Sequence, residues 1–184
     1  SSQTTDVYIQ NVSSAVENLQ VIINDFGANS DETGTPAILL NGQQAPQHSL
    51  KQYVAPISNI TVQPGDQADV KVTITIPANA TPGGYYGAVR FAPANVDATK
   101  NVTLAASVAS LILVKVPGNI KEQMSIASFD ARVNDKNRTV FTSSKGITAT
   151  VRFQNSGDLQ EEPFGKVVLK KGGKQIASYD INNT

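Results

Sequence analysis

The sequence predicts an all-β protein of antiparallel strands, on three observations. Apolar and polar residues alternate with period two, glycine and proline pairs punctuate the alternation, and no stretch sustains the i, i+3, i+4, i+7 apolar spacing of an amphipathic helix. In ADVKVTITIP, Val70, Val72, Ile74 and Ile76 share one face while Asp69, Lys71, Thr73 and Thr75 share the other. In GITATVRFQN, Ile147, Ala149, Val151 and Phe153 oppose Thr148, Thr150, Arg152 and Gln154. Successive strand side chains point to opposite faces, so each segment describes a strand with one face on a core and one in water.

Further strands are predicted at TDVYIQN, NLQVIINDF, NVTLAASVASLILVKV and GKVVLKK, all rich in β-branched residues. VIINDF and SLILVKV are apolar on both faces and read as central or doubly covered. QPGDQ places Pro64 and Gly65 for a type II turn, and KKGGKQ places Gly172-Gly173 between two short strands as a hairpin. SSAVENLQ offers the one candidate helical turn, with Ser13 as cap and Glu17 as its carboxylate, set against an ordinary strand connection. Residues 27–52 form a long polar excursion around the apolar island AILL, expected to carry a short edge strand or β-turns.

A boundary is predicted at VPGNIKEQ, dividing the chain into domains at 1–118 and 119–184, each sized for a compact sandwich. An immunoglobulin-type sandwich uses ~7 strands in ~100 residues, and the second segment supplies fewer. The expectation is therefore two tandem immunoglobulin-like β-sandwiches, the second incomplete. Truncation accounts for that; completion of the sheet by a partner strand is the alternative.

Composition narrows the function classes. Across 184 residues, 15 lysines and arginines balance 15 aspartates and glutamates, so no global field draws the chain to nucleic acid or an anionic membrane. There is no cysteine, which excludes a disulfide framework, a thiolate zinc site and a cysteine nucleophile. The most apolar run, SLILVKV, is far shorter than the roughly 20 residues of a membrane-spanning helix and is broken by Lys115. SSQTTDVY lacks the basic start and apolar run of a signal peptide, so the expectation is a cytosolic protein or a mature or excised piece of a longer one.

No enzyme is expected. The single histidine, His48 in APQHSL, has no serine elbow to serve and reads as a solvated loop residue. Glu161 and Glu162 would face opposite ways in a strand and so would not converge as an acid/base pair. Asp25, Asn29, Asp31 and Glu32 in NDFGANSDETG are oxygen donors that make weak calcium candidates, without EF-hand spacing. No other metal and no cofactor is expected. Asn-x-Ser/Thr occurs at Asn11, Asn59, Asn79, Asn101 and Asn137, the pattern of a glycosylation acceptor.

The order NITVQPGDQADVKVTITIPANATPGGYYGAVRFAP, then SVASLILVKVPGNIKEQ, joins a Pro-Gly turn, an alternating strand, a second Pro-Gly turn, a glycine-rich strand and a strand closing in VPG. It resembles the N-terminal domain of the WxL-interacting proteins, immunoglobulin-like, membrane-anchored surface proteins of Gram-positive bacteria with relatives in small-genome bacterial lineages. VRFQNSGDLQEEPFGKVVLKKGGKQI resembles the domain that follows it there. The likeness covers most of Gln10–Phe26 and Asn59–Ile181 and leaves out the 27–52 excursion. It implies a cell-surface adhesion module outside the cell, its first domain contacting peptidoglycan or another wall glycan and its second a surface protein partner. It also implies a strand before Ser1, and further strands with a membrane anchor after Thr184. No residue matches a defined glycan-contact motif, so the resemblance carries over no ligand residues. The alternative from another class is an accessory carbohydrate-binding module of a wall-active enzyme.

The densest stretch is TPGGYYGAVRFAP, from Thr81. Alternation sends Tyr85, Gly87, Val89 and Phe91 to one face and Tyr86, Ala88 and Arg90 to the other. Tyr85, beside the Pro82-Gly83 turn, is placed to anchor the strand as a tyrosine corner does. Gly87 marks a bulge or a close approach. Tyr85, Val89 and Phe91 read as core, which leaves Tyr86 and Arg90 as the candidate ligand- or partner-binding residues.

Overall fold

A computed structural model describes residues 1–40, 42–94, 106–134, 136–142 and 146–182. Strands dominate it and every strand pairing is antiparallel. The chain divides into two compact units, Ser1–Gly118 and Asn119–Thr184. The charge balance conceals a split between them: the first has eight acidic and five basic residues, net −3, and the second seven acidic and ten basic, net +3.

In the first unit, β1 (Ser2–Gln10) pairs along its whole length with β5 (Gln67–Thr75). The second sheet has the order β3 (Pro36–Ile38), β2 (Glu17–Ala28), β6 (Gly83–Pro93), β7 (Val108–Val116), with β4 (Ile60–Val62) pairing the start of β2. The alternation places the core between them. Val7, Val70, Val72 and Ile74 come from the first sheet, and Val21, Tyr85, Val89, Phe91 and Val116 from the other. The Pro64-Gly65 turn forms as predicted, with Gly65 at φ 80° and Asp66 N–H donating to the Gln63 carbonyl at 3.1 Å.

Three local expectations change. Ser13–Ala15 is a turn rather than a helix: the Asn11 side chain accepts from Ser13 N–H, and Ser13 Oγ reaches Glu17 at 3.2 Å as β2 begins. VIINDF is central, but SLILVKV is not. β7 has only β6 beside it among the described residues, and Leu111 and Leu113 are 40% and 51% exposed. The predicted strand over 101–116 is seen from Val108, and Asn101 lies outside the described residues.

The second unit contains β8 (Met124–Val133), flanked by β10 (Ile147–Asn155) and the short β9 (Lys136–Asn137), and a hairpin of β11 (Gly165–Lys171) with β12 (Lys174–Ile181). Gly172 and Gly173, at φ 56° and 79°, make the tight turn of that hairpin. In β8 the apolar parity changes: Phe129, Ala131 and Val133 are odd, Met124 and Ile126 even. The register explains why. Ser128 pairs Arg152 and Ile126 pairs Phe153, so Ala127 bulges out, returning Ile126 and Met124 to the apolar side with Val151 and Phe153. Despite this patterning, none of the described residues of this unit is buried. Ile126, Phe129, Phe164 and Tyr179 are all more than half exposed.

Candidate ligand-binding face

Each glycine of PGGYYG opens space for a particular side chain. A Cβ on Gly83 would strike the His48 imidazole, one on Gly84 the Tyr86 phenol, and one on Gly87 would lie 3.0 Å from Leu50 Cδ2. His48 is therefore not a solvated loop group. It is half-buried, with its ring 4.9 Å from that of Tyr85, and it takes a left-handed backbone at φ 54°. Gly87 marks a close approach rather than a bulge, because β6 keeps unbroken register with β2 and β7 around it.

Tyr85 lies in the core as read from sequence, and its hydroxyl donates to the Thr81 carbonyl at 3.0 Å, tying the strand to its entry turn. Burial pushes its phenol above the ordinary tyrosine range, with nearby Tyr53 adding to the rise, against a lowering from the Thr81 bond. Because the folded state holds this proton more tightly than the unfolded chain, the contribution is complete below pH ~10 and is lost as pH rises past it. Tyr85→Phe is expected to cost about 1 kcal/mol at neutral pH and to flatten the alkaline fall in melting temperature. A melting-temperature series to pH 11 checks both; parallel curves for parent and variant would refute the assignment.

The opposite face carries Tyr86 and Arg90. Arg90 Nε donates to Asn24 Oδ1 at 3.2 Å, and Asn24 Nδ2 donates to the Leu39 carbonyl at 2.8 Å. The guanidinium is thus aimed by a buried amide that also holds the 27–52 excursion. Tyr86 packs against Phe26, ring centroids 5.7 Å apart, and its ring lies over Gly84. Both residues are half-buried. Leu113 pairs Tyr86, Leu111 pairs Ala88 and Ala109 pairs Arg90, so the exposed leucines of β7 extend the same face. The result is a face on which half-buried Tyr86 and the Asn24-held Arg90 cation adjoin exposed Leu111, Leu113 and Lys115, while Phe26 and Ala88 on the same face are buried. Asn24, Phe26, Leu111 and Leu113 were not legible as part of it, because membership depends on register with non-adjacent strands. The one signal was a polar Asn24 inside an apolar strand.

The excursion is built as much by Asp25 as by its own residues. Asp25 is fully buried, and its carboxylate accepts from Ala45 N–H at 3.0 Å and Lys51 N–H at 2.9 Å. The backbone of β2 adds a bond from Leu39 N–H to the Asp25 carbonyl at 2.8 Å. The expected edge strand is β3, paired to Phe26–Ala28, and a 3₁₀ turn at Lys51–Tyr53 ends the segment. Where β2 turns away from β6, Ser49 takes up a bridge to Tyr86.

The four calcium candidates are not brought together. Asp25 is committed to the excursion backbone. Asp31 accepts from the backbone and hydroxyl of Thr33, bonds that lower its carboxyl below the usual range. Asn29 donates to Asp31, and Glu32 takes a left-handed turn conformation at φ 58°. Among the described residues no three His, Cys, Asp or Glu side chains converge on a common point. Of the sequons, Asn11 is buried, its amide bonded to the carbonyls of Ala15 and Val62. Glu161 and Glu162 lie outside any strand, so alternation does not separate them, and both line one groove.

No family model matches the chain, and no curated protein is significantly similar to it.

Proposed function

We propose that the chain is a non-enzymatic binding module of a bacterial cell surface. It comprises two tandem immunoglobulin-like sandwiches, residues 1–118 contacting a wall glycan such as peptidoglycan and residues 119–184 a surface protein partner. The observation that supports the glycan reading is the Tyr86–Arg90 face. A sugar ring presents an apolar C–H face that stacks on an aromatic ring, and peptidoglycan adds carboxylates that suit a fixed guanidinium. Arg90 is oriented before any ligand arrives, because Asn24 holds its Nε, and such preorganisation reduces the ordering cost of binding.

The test is sedimentation with purified peptidoglycan. The parent chain is expected to pellet with it, and Tyr86→Ala or Arg90→Ala to weaken binding about tenfold, equivalent to ~1.4 kcal/mol. Gly84→Ala is expected to do the same with both residues left unsubstituted, since its methyl displaces the Tyr86 ring. A parent chain that stays in the supernatant, or variants that pellet as well as the parent, would sink the proposal.

A further inference from the structure

We infer that the second unit carries a docking groove for an extended apolar segment bearing a single basic side chain. This rests on the reading of that unit as the partner-binding one, and supplies the chemistry of the partner. The groove, about 340 Å³, is lined by Met124, Ile126, Phe153 and Phe164, with Glu161 and Glu162 beside them.

Three features select the occupant. The first is the strand edge. β9 pairs only with Arg132 and Val133, so among the described residues the side of β8 away from β10 has no strand partner over Met124–Phe129. An extended chain can add there through its backbone, with alternate side chains entering the apolar floor. The second is the floor itself: Phe164 is 85% exposed and Ile126 63%, an area of apolar surface that gains by being covered. Met124 adds a floor that adapts to differing side chains. The third is charge. Among the described residues neither carboxylate is held by a cation, and two adjacent negative groups favour a basic side chain at that point. Because the unit as a whole is net +3, a polybasic segment would be repelled, and one basic residue in an apolar context fits best.

The probe is a fluorescein-labelled Val-Thr-Phe-Lys-Val-Thr peptide titrated against the full chain by anisotropy, with a Glu-for-Lys version as its control. The expected result is saturable binding that is about tenfold weaker for the control. The double substitution Glu161→Gln with Glu162→Gln should erase that preference, while Phe164→Ala weakens both peptides. Phe164 and Glu162 are exposed, so these changes remove no buried contact. Equal binding of the two peptides overturns the basic-segment assignment and leaves the partner-binding reading standing; binding of neither overturns both. A concentration-dependent dimer abolished by Phe164→Ala would make a second copy the occupant and also overturn the inference. Peptidoglycan sedimentation through Tyr86 and Arg90 is a separate readout, unmoved by any of these outcomes.

Discussion

Asp25→Ala is expected to destabilise residues 1–118 by about 3 kcal/mol and to release the 27–52 excursion from the sheet. The buried carboxylate makes two charge-assisted bonds to the backbone of that excursion, at Ala45 and Lys51. Bonds to an ionised group are worth roughly 1.5–3 kcal/mol each, and part of the loss is recovered when water reaches the freed N–H groups. For a unit of this size the midpoint of thermal unfolding should fall by about 10 °C. Cleavage by a protease within 27–52 should quicken at temperatures where the parent is resistant. Asp25→Asn should fall between the two, since one amide oxygen still accepts while the amide nitrogen now faces a donor. An alanine variant with unchanged melting and unchanged cleavage would remove Asp25 from this role. The effect should extend to function, because Asn24 holds both the Leu39 carbonyl and Arg90.

Leu50→Ala should cost about 3 kcal/mol, and Gly87→Ala about 1–2 kcal/mol, through one shared contact. Leu50 is completely buried although it comes from the excursion, and it seats in the hollow that Gly87 leaves in β6. A methyl on Gly87 would stand 3.0 Å from Leu50 Cδ2 and 3.2 Å from its Cβ. At these distances the leucine must give by a few tenths of an ångström, in a core packed too closely to take that up freely. The double variant is the informative one. With Leu50 shortened to alanine, the new methyl at Gly87 enters vacated space, so the two costs should fall short of additivity by at least about 1 kcal/mol. Denaturant unfolding of the four proteins measures the cycle, and additive costs would separate the two residues.

The legible part of this molecule is the part governed by single strands and single turns. Alternation located Val70, Val72, Ile74 and Ile76 in the core, and Pro64-Gly65 and Gly172-Gly173 at their turns. Tyr85 was legible as a strand anchor because its turn, its register and its hydroxyl all lie within five residues of chain. What failed required knowledge of neighbours. SLILVKV is as apolar as a central strand, yet its place at the sheet edge follows from which strands pair, and no local signal carries that. His48 reads as a surface loop residue until Gly83 and Tyr85 are brought beneath it. Asp25 looks like one of several loose oxygen donors because the groups it serves, at Ala45 and Lys51, are 20 and 26 positions away. Tyr86 and Arg90 were separable from the core by parity alone, while the residues that order them were not.

The pairing of β1 with β5 has a kinetic consequence. Asp6 and Lys71 meet across 65 positions of chain, and everything from β2 to β4 lies inside the loop they close. Ordering that loop is opposed by entropy before any contact between the two strands compensates it. Proteins whose contacts join such distant residues fold in milliseconds to seconds rather than microseconds. The clasp therefore sets a timescale as well as an architecture: residues 1–118 are slow to assemble, because the second sheet closes a comparably long loop where Leu19 meets Pro93 and Asp25 meets Gly87.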